Sequence, residues 1–265
     1  MSKNWLVLYS GGLDSIVLTH FLHTLGHKVT LVHMNYGQRA QQIEHELANK
    51  YAGHIGAPIM VFDVQPMFKS ILGQLNLNLD SISRLWNSNS TGGGEKDAES
   101  SLSYVPFRNT MFLTIGGMCA EQLGVNWITF GSNLSETMTY SDNSEPFIRT
   151  MDQVMKLGSN AKQINVRAPL FSLTKTRLVE LGILIGTPFE LSNSCYFPVD
   201  GNACGECGSC LLRINAFKRN STIDPLFANN TKVDWSGCTP YLPGNADASK
   251  LASFIKQYNL LLELE

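Results

Sequence analysis

The amino-acid sequence predicts an α/β fold, a doubly wound parallel sheet with a cysteine-rich segment on its C-terminal side, and three observations support this. Short apolar runs alternate with helix-length segments over most of the first 190 residues. A turn rich in glycine and serine, SGGLDS at residues 10–15, joins the first apolar run to the first helical segment. Four of the six cysteines fall between residues 195 and 210. We therefore divide the chain into an α/β domain (1–190), a cysteine segment (191–220) and an extension of unassigned role (221–265).

The predicted strands and helices follow from hydrophobic periodicity. Continuous apolar runs predict buried strands at 6–9, 29–34, 59–64, 125–130 and 164–168. Apolar residues at three- and four-residue steps predict helices that end at Gly26 and near Gly56, and further helices follow at 110–123 and 175–185. The tail ends in a short amphipathic stretch at 251–255. Residues 80–103 interrupt this alternation with a polar, glycine-rich stretch, which predicts a long mobile loop.

Composition and charge exclude several classes of function. The formal net charge of −2 at pH 7 argues against a strong electrostatic nucleic-acid binder. No apolar run reaches the roughly 20 residues that a membrane helix needs, and the first residues lack the apolar centre of a secretion signal. We therefore expect a cytoplasmic protein without a membrane segment, in which thiols stay reduced and clustered cysteines hold a metal.

The SGGLDS turn has the composition of a phosphate-binding loop. At the carboxyl end of a first strand, such a turn directs backbone N–H groups and the positive end of a helix dipole into the ligand crevice of an open sheet. Gly11 and Gly12 let the backbone approach an anion, and the Ser10 and Ser15 hydroxyls add donors. Asp14 would repel a phosphate unless a cation such as Mg²⁺ lies between them. The alternative is a simple turn whose acid and serine cap the helix, since the lysine of a Walker loop does not follow.

The clustered cysteines are spaced as C-x8-C-x2-C-x2-C, at Cys195, Cys204, Cys207 and Cys210. Two-residue gaps let successive thiolates point at one centre, and the intervening glycines permit tight turns. Four thiolates suit a structural, tetrahedral Zn²⁺ site, so we predict a C-terminal zinc-binding region. An iron–sulfur cluster and a redox-active dithiol are the alternatives.

Together, the turn and the cysteines resemble the 7-cyano-7-deazaguanine synthases, the QueC family of N-type ATP pyrophosphatases, which have the adenine nucleotide alpha hydrolase-like fold. The resemblance runs from about residue 6 to about residue 218. Further matching words follow in order: YGQR at 36–39, YVPFRNT at 104–110, GSN at 131–133, APL at 168–170, LTKT at 173–176, SCY at 194–196 and CLLR at 210–213. Each short match is weak evidence alone, but the ordered set is specific to the family.

The resemblance implies a ligase that uses ATP, ammonia, Mg²⁺ and a bound Zn²⁺ to convert 7-carboxy-7-deazaguanine to 7-cyano-7-deazaguanine, a precursor of queuosine. It implies that the carboxylate is adenylated, that ammonia displaces AMP to give an amide, and that a second adenylation drives dehydration to the nitrile. It also implies a homodimer. The implied catalytic residues are Asp14, Ser15 and Lys175. The implied ATP-binding residues are Ser10, Gly11, Gly12, Leu13, Asp14, Ser15, His33 and Gly131, and the implied substrate-binding residues are Gln38, Arg39, Arg108, Asn109, Asn133, Tyr140 and Asp142.

One stretch departs from the family pattern. Where family members carry Tyr-Pro-Asp-Cys-Arg, this chain keeps Tyr140 and Asp142 but has Asn143 and Ser144 at the last two positions. Loss of an arginine fork from a site that handles carboxylates and phosphates is a substantial change. The alternative is therefore a QueC-like enzyme that stops at the amide, or that transfers the activated acyl group to an amine of a protein or other macromolecule in a modification or defence system. A zinc-stabilised binding module without catalysis and a sister pyrophosphatase that thiolates tRNA are the remaining rivals.

Overall fold

The computed structural model describes residues 2–74, 105–137, 141–160, 163–244, 247–261 and 264. The predicted loop at 80–103 and the predicted substrate residue Tyr140 lie outside these residues. None of the helices in the described part of the chain combines the length and the apolar character needed to cross a membrane.

Five parallel strands form the central sheet, in the order β3-β2-β1-β4-β5. They are β1 (Asn4–Leu8), β2 (Lys28–Asn35), β3 (Ile59–Asp63), β4 (Trp127–Phe130) and β5 (Asn165–Arg167). The apolar runs of the inner strands β1 and β4 are nearly continuous, as expected for strands whose two faces are both covered, whereas the edge strands β3 and β5 are only partly buried. The predicted doubly wound parallel sheet is thereby confirmed, and each predicted strand lies within a few residues of its observed position.

Helices connect the strands and cover both faces of the sheet. In chain order they are α1 (Leu13–Thr24), α2 (Gln41–Ile55), α3 (Gln65–Gln74), α4 (Arg108–Leu123), α5 (Leu134–Thr137), α6 (Glu145–Gly158), α7 (Lys175–Leu184), α8 (Gly208–Arg219) and α9 (Ala248–Gln257). Gly56 ends α2 in the left-handed conformation that glycine adopts without steric cost, as its position in the sequence predicts.

Two hydrophobic cores lie on opposite faces of the sheet. One contains Trp5 and Val7 of β1, together with residues of α1, α2 and α7. The other contains Leu6 and Leu8, together with residues of α4 and α6. Because successive side chains of a strand point to opposite faces, this alternation also decides which face each residue of β2 reaches.

The described residues beyond α8 pack onto the same body. α9 buries Leu251 and Phe254 in the core that contains α1 and α7. The chain passes so close to Gly186, whose φ is +71°, that a Cβ atom there would clash with the Gly244 carbonyl oxygen. A two-residue strand pair, β6 (Thr222–Ile223) with β7 (Thr239–Pro240), completes this region.

Candidate active site

A cavity opens at the carboxyl ends of β1, β2 and β4. The strand order β3-β2-β1-β4-β5 means that the chain leaves β1 toward β2 on one side and returns on the other side at β4. The cavity therefore lies at the point of an open α/β sheet where ligands bind. The SGGLDS turn, the starts of α4 and α7 and part of the cysteine segment all contribute to its lining.

The SGGLDS turn is held in shape by its own hydroxyl groups. The Gly12 N–H donates to Ser10 Oγ at 3.1 Å, and Ser10 Oγ lies 3.1 Å from Ser15 Oγ. The Ser15 hydroxyl also donates to the Gly12 carbonyl oxygen at 3.0 Å. α1 begins directly after Gly12, and no described side chain caps its first turn. The dipole of α1 therefore favours an anion at the turn.

Two glycines bring neighbouring segments close to this turn. Gly11 has a φ of +83°, and a Cβ atom there would lie 2.9 Å from the Glu44 carbonyl oxygen. A Cβ atom at Gly131 would lie 2.9 Å from the Ser15 backbone nitrogen. Side chains do not tolerate such distances, so glycine at these positions lets α2 and the end of β4 flank the turn.

Lys175 and Asp14 form an ion pair on the cavity wall. The Thr174 side chain caps α7 by accepting a hydrogen bond from the Arg177 N–H at 3.4 Å, which places Lys175 at the first position of the helix. Lys175 Nζ donates to the two Asp14 carboxylate oxygens at 2.8 and 2.6 Å. Both residues line the cavity, so a cation and a carboxylate stand beside the phosphate-type turn.

A second part of the wall is built by the β2–α2 connection and the start of α4. Arg108 Nη1 donates to the Tyr36 hydroxyl at 3.2 Å. Gln38 Nε2 donates to Glu44 Oε2 at 2.9 Å. All four side chains line the cavity. This part of the wall therefore offers a guanidinium, a carboxyl and an aromatic ring to a bound molecule.

Glu44 and Arg108 have shifted pKa values. Burial raises the pKa of the Glu44 carboxyl to about 7, although its hydrogen bond and the charge of Arg108 act in the opposite direction. Burial also works against the charge of Arg108, but the neighbouring oxygens of Tyr36, Tyr196 and Asp142 outweigh it and raise the pKa of Arg108 above its ordinary value. Glu44 therefore changes its protonation near neutral pH, whereas Arg108 stays cationic.

Asp142 and Asn143 orient Asn109. The Asp142 carboxylate accepts a hydrogen bond from the Asn109 N–H at 3.2 Å, and the Asp142 carbonyl oxygen accepts from Asn109 Nδ2 at 3.1 Å. Asn109 Nδ2 also donates to Asn143 Oδ1 at 3.1 Å. Ser144 caps α6, since its Oγ accepts from the Phe147 N–H at 3.4 Å. The two positions that depart from the family pattern thus support the cavity wall and begin a helix.

Phe107 turns the chain into α4. Its φ of +56° lies in the left-handed region, which residues with a side chain rarely adopt, and its ring is 76% exposed. The Arg108 N–H donates to the Val105 carbonyl oxygen at 3.2 Å. This backbone conformation places Arg108 and Asn109 in the first turn of α4, where both line the cavity.

The four predicted metal-binding cysteines meet at one point. The sulfur atoms of Cys195, Cys204, Cys207 and Cys210 lie within 4.8 Å of one another. The Cys204–Cys210 and Cys207–Cys210 sulfur distances are 3.9 and 3.4 Å. Sulfurs around a tetrahedral zinc at roughly 2.3 Å are about 3.8 Å apart. Cys204 Sγ also accepts backbone N–H groups of Glu206 at 3.5 Å and Cys207 at 3.3 Å, so the residues fit a four-sulfur metal site.

A buried ion pair fixes the cysteine segment in place. Arg213 of α8 donates from Nε and Nη2 to the two Asp224 carboxylate oxygens at 2.7 and 2.9 Å, and both side chains are fully buried. Arg213 Nη1 donates to Ser192 Oγ at 2.9 Å. The next residue, Asn193, donates its N–H to the Gly11 carbonyl oxygen at 2.8 Å. The cysteine segment is therefore bonded directly to the SGGLDS turn.

The structure brings most of the sequence-predicted site residues to the cavity. Those that line it are Ser10, Gly12, Leu13, Asp14, Ser15, Gln38, Arg108, Asn109, Gly131 and Lys175. Gly11 and Asp142 lie behind this lining, where Gly11 permits the approach of α2 and Asp142 orients Asn109.

His33, Asn133 and Arg39 do not line the cavity with the other predicted residues. The alternation of β2 puts the His33 ring on the face covered by α2, where Nδ1 lies 2.9 Å from the Tyr9 carbonyl oxygen. Asn133 is buried, and its Oδ1 accepts a hydrogen bond from the Ser135 N–H at 3.0 Å. The exposed Arg39 guanidinium lies 5.1 Å from the centre of the Phe197 ring. Their parts in ATP or substrate binding stay predictions, which these side-chain positions do not support.

Sequence reasoning gave no role to Glu44, Asn193 or Tyr196, which also line the cavity. A signal existed for Glu44, because it lies one turn before the buried Ala48 on the inward side of α2. A carboxylate on the inward side of an amphipathic helix is unusual unless it is paired or functional. Tyr196 follows the first metal-binding cysteine, but its position relative to the turn depends on the folded chain.

Comparisons with known proteins agree with these motifs. A family model described as "Queuosine biosynthesis protein QueC" matches residues 4–221. The "7-cyano-7-deazaguanine synthase" of Sulfolobus acidocaldarius is 36% identical over 227 residues, which cover 84% of this chain and 47% of that protein. The one of Nitratiruptor sp. is 33% identical over 224 residues, which cover 83% of this chain and 96% of that protein. Among solved structures, an NMN synthetase from Francisella tularensis aligns with a TM-score of 0.48 and 13% identity over 97% of this chain and 84% of that one.

The chain spans about half the length of the relatives from Sulfolobus acidocaldarius, Sulfurisphaera tokodaii and Saccharolobus solfataricus. The matched segment, residues 4–221, contains both the SGGLDS turn and the four cysteines. The fold brings the SGGLDS turn and residues next to the cysteines to one cavity, and the Asn193 N–H donates to the Gly11 carbonyl oxygen. The chain therefore belongs to the QueC family.

Proposed function

We propose that the chain is an ATP-dependent, AMP-forming carbon–nitrogen ligase that converts 7-carboxy-7-deazaguanine and ammonia to 7-cyano-7-deazaguanine in the queuosine pathway. The observation that carries this proposal is the shared cavity, which the phosphate-type turn, the Asp14–Lys175 pair and residues beside the cysteines line together. The relatives in the comparison are named for the same activity.

The groups on the cavity wall match the needs of adenylation. A carboxylate becomes a good acyl donor only when one of its oxygens joins a good leaving group, here AMP. The SGGLDS turn suits the departing pyrophosphate, and Lys175 suits the charge on the α or β phosphate. Arg108 suits the substrate carboxylate before it reacts. Positioning and neutralisation of charge then account for most of the catalysis of phosphoryl transfer.

Magnesium and zinc belong to the same proposal. Asp14 would hold Mg²⁺ beside the phosphates, because a carboxylate oxygen is the ligand that Mg²⁺ prefers. Cys195, Cys204, Cys207 and Cys210 would hold a structural Zn²⁺, and the ion would fix the wall that Ser194 and Tyr196 line. We expect one zinc per chain by elemental analysis of the purified protein, whereas iron with labile sulfide would favour the cluster alternative.

A second candidate function rests on Asn143 and Ser144. The family pattern places Cys and Arg there, but Asn143 is buried against Asn109 and Ser144 caps the N-terminus of α6. The residues to which we assign adenylation, Asp14, Ser15 and Lys175, are present, and the arginine of the family pattern is not. The second candidate is thus an enzyme that adenylates the same carboxylate and delivers the acyl group to ammonia only as far as the amide, or to an amine of a macromolecule.

The test is incubation of the protein with ATP, Mg²⁺, ammonium and 7-carboxy-7-deazaguanine, followed by mass spectrometry of all products. We expect AMP, pyrophosphate and the nitrile. Accumulation of the amide, or a deazaguanine-sized mass increase on a protein, would select the second candidate. Absence of AMP at any substrate concentration would contradict both candidates and favour a binding module.

A further inference from the structure

Each carbon–nitrogen step of the proposed reaction must remove protons from nitrogen. When ammonia adds to the acyl adenylate, the nitrogen becomes positively charged and loses a proton, and the carbonyl re-forms as AMP leaves with the electron pair of the C–O bond. When the adenylated amide collapses, the nitrogen loses its N–H protons while the C–O bond to AMP breaks and the C≡N bond forms. Phosphate-binding groups do not accept these protons.

We propose that Glu44 is a catalytic residue that accepts these nitrogen protons. This inference rests on the proposed function and deepens it, because it names the group that serves the ammonia-dependent steps. Adenylation itself transfers no proton from the substrate carboxylate, so it does not need Glu44.

Elimination among the cavity groups supports this role. Among the described side chains that line the cavity, Asp14 and Glu44 are the carboxylates, and no histidine or cysteine joins them. Asp14 engages Lys175 through both of its oxygens and belongs to the phosphate-type turn. A neutral phenol is not an effective proton acceptor, and burial raises the pKa of the Tyr9 phenol well above its ordinary value. Glu44 is the remaining proton acceptor.

The position of Glu44 is fixed. Its backbone N–H donates to the Ala40 carbonyl oxygen at 2.9 Å in the first turn of α2, and its carbonyl oxygen packs against Gly11. Gln38 Nε2 holds Oε2 at 2.9 Å, and Oε1 accepts no hydrogen bond from the described residues. One oxygen therefore orients the carboxyl, and the other can accept a proton.

The electrostatic surroundings suit a base that works near neutral pH. Burial raises the pKa of Glu44 to about 7, and the charge of Arg108 limits the rise. A general base is most effective when its pKa lies near the operating pH. The charged and titratable side chains that line the same cavity are Tyr9, Asp14, Tyr36, Arg108, Lys175, Tyr196 and Arg213.

The decisive experiment separates adenylation from the ammonia-dependent steps in Glu44→Gln. Glutamine has nearly the same shape and keeps an oxygen for the Gln38 hydrogen bond, but it does not accept a proton. We expect substrate-dependent exchange of labelled pyrophosphate into ATP, measured without ammonia, to stay within about threefold of wild type. We expect formation of amide and nitrile to fall by about 10²–10⁴-fold. Glu46→Gln, an exposed change on the same helix, is the matched control and should leave both rates unchanged.

A second variant and a pH profile test the chemistry directly. In Glu44→Ala, added formate should restore amide formation in a concentration-dependent way, because the small carboxylate can occupy the vacated space. At a constant concentration of free ammonia, the wild-type rate of amide formation should rise through about pH 7, and the Gln variant should lose this dependence.

The outcomes distinguish the two proposals. Pyrophosphate exchange and amide formation that both survive in Glu44→Gln would overturn the role of Glu44 and leave the proposed function standing. Loss of both in a folded variant, without rescue by formate, would also overturn it, because Glu44 would then support the turn. Absence of exchange in the wild-type protein would overturn the proposed function, and the inference about Glu44 with it.

Discussion

Two ion pairs flank the candidate active site, and their surroundings differ. Arg213 borders the cavity, but its side chain and that of Asp224 are 0% exposed, and neighbouring hydrogen bonds complete the pair. Lys175 and Asp14 are 11% and 18% exposed and face the cavity. A sealed pair keeps its partners, whereas a pair on a cavity wall can exchange them for phosphate and Mg²⁺. The Arg213–Asp224 pair therefore stabilises the fold, whereas the Lys175–Asp14 pair, under the proposed function, takes part in the reaction.

The sealed pair should show the largest effect on stability. In Asp224→Ala the Arg213 guanidinium stays buried without its carboxylate, so we expect the free energy of unfolding to fall by about 3–5 kcal/mol. Urea denaturation followed by circular dichroism measures this change. A loss below about 1 kcal/mol would show that Arg213 finds other partners and that the two pairs differ less than their burial indicates.

Lys175→Met should have its main effect on the reaction. Loss of a cation beside the phosphates should lower AMP formation by about 10²–10³-fold, which corresponds to about 2.7–4 kcal/mol of barrier. The free energy of unfolding should change by less than about 1 kcal/mol, since cavity water can solvate Asp14. Initial rates of AMP release test the expected loss of activity, and urea denaturation tests the expected stability. A large loss of stability with normal turnover would show that Lys175 supports the fold and not the reaction.

Glu44 sharpens the comparison, because it is a cavity carboxyl without a cation bonded directly to it among the described residues. Its folded-state pKa of about 7 exceeds the ordinary carboxyl value, so the folded chain binds the extra proton and stability falls as pH rises toward 7. We expect this group to make the wild type about 1–3 kcal/mol less stable at pH 8 than at pH 5. Denaturation of Glu44→Gln at both pH values should show that part of the difference removed.

The smallest effect is expected at an exposed pair. Arg149 and Glu145 form an i,i+4 contact at 2.6 Å on α6, with side chains 77% and 55% exposed. Water and salt screen such a pair, so Arg149→Ala should change the free energy of unfolding by less than about 0.5 kcal/mol. A change of several kcal/mol would mean that burial does not determine how much each ion pair of this chain contributes to the free energy of unfolding.

The sequence predicted the features whose cause is local. Continuous apolar runs located the strands, and the spacing of Cys195 to Cys210 located the sulfur cluster. The face that His33 occupies could not be read from the run Leu31 to Met34, because all four residues are buried and such a run has no alternation. Glu44 and Asn193 reach the cavity through the packing of α2 and the bond to Gly11, which are contacts between distant segments.

Some helices were missed although their signals are present. α6 begins with the Ser144 cap and Pro146 and buries Ile148, Met151 and Met155 at three- and four-residue steps. The same stretch contains Asn143 and Ser144, so its departure from the family pattern overlaps the start of the helical periodicity. α8 starts inside the cysteine motif at Gly208, so the ligand spacing concealed the helix that carries Arg213.

The left-handed backbone conformation of Phe107 constrains which residues can replace it. A non-glycine residue in that conformation carries roughly 1 kcal/mol of backbone strain, and the exposed ring recovers little of it by burial. Glycine at 107 would relieve the strain, but it would also make the backbone that positions Arg108 and Asn109 more flexible. Every other residue keeps a Cβ atom and therefore the strain, so most substitutions at 107 should retain the rigid start of α4, and only Phe107→Gly should exchange that rigidity for an unstrained backbone.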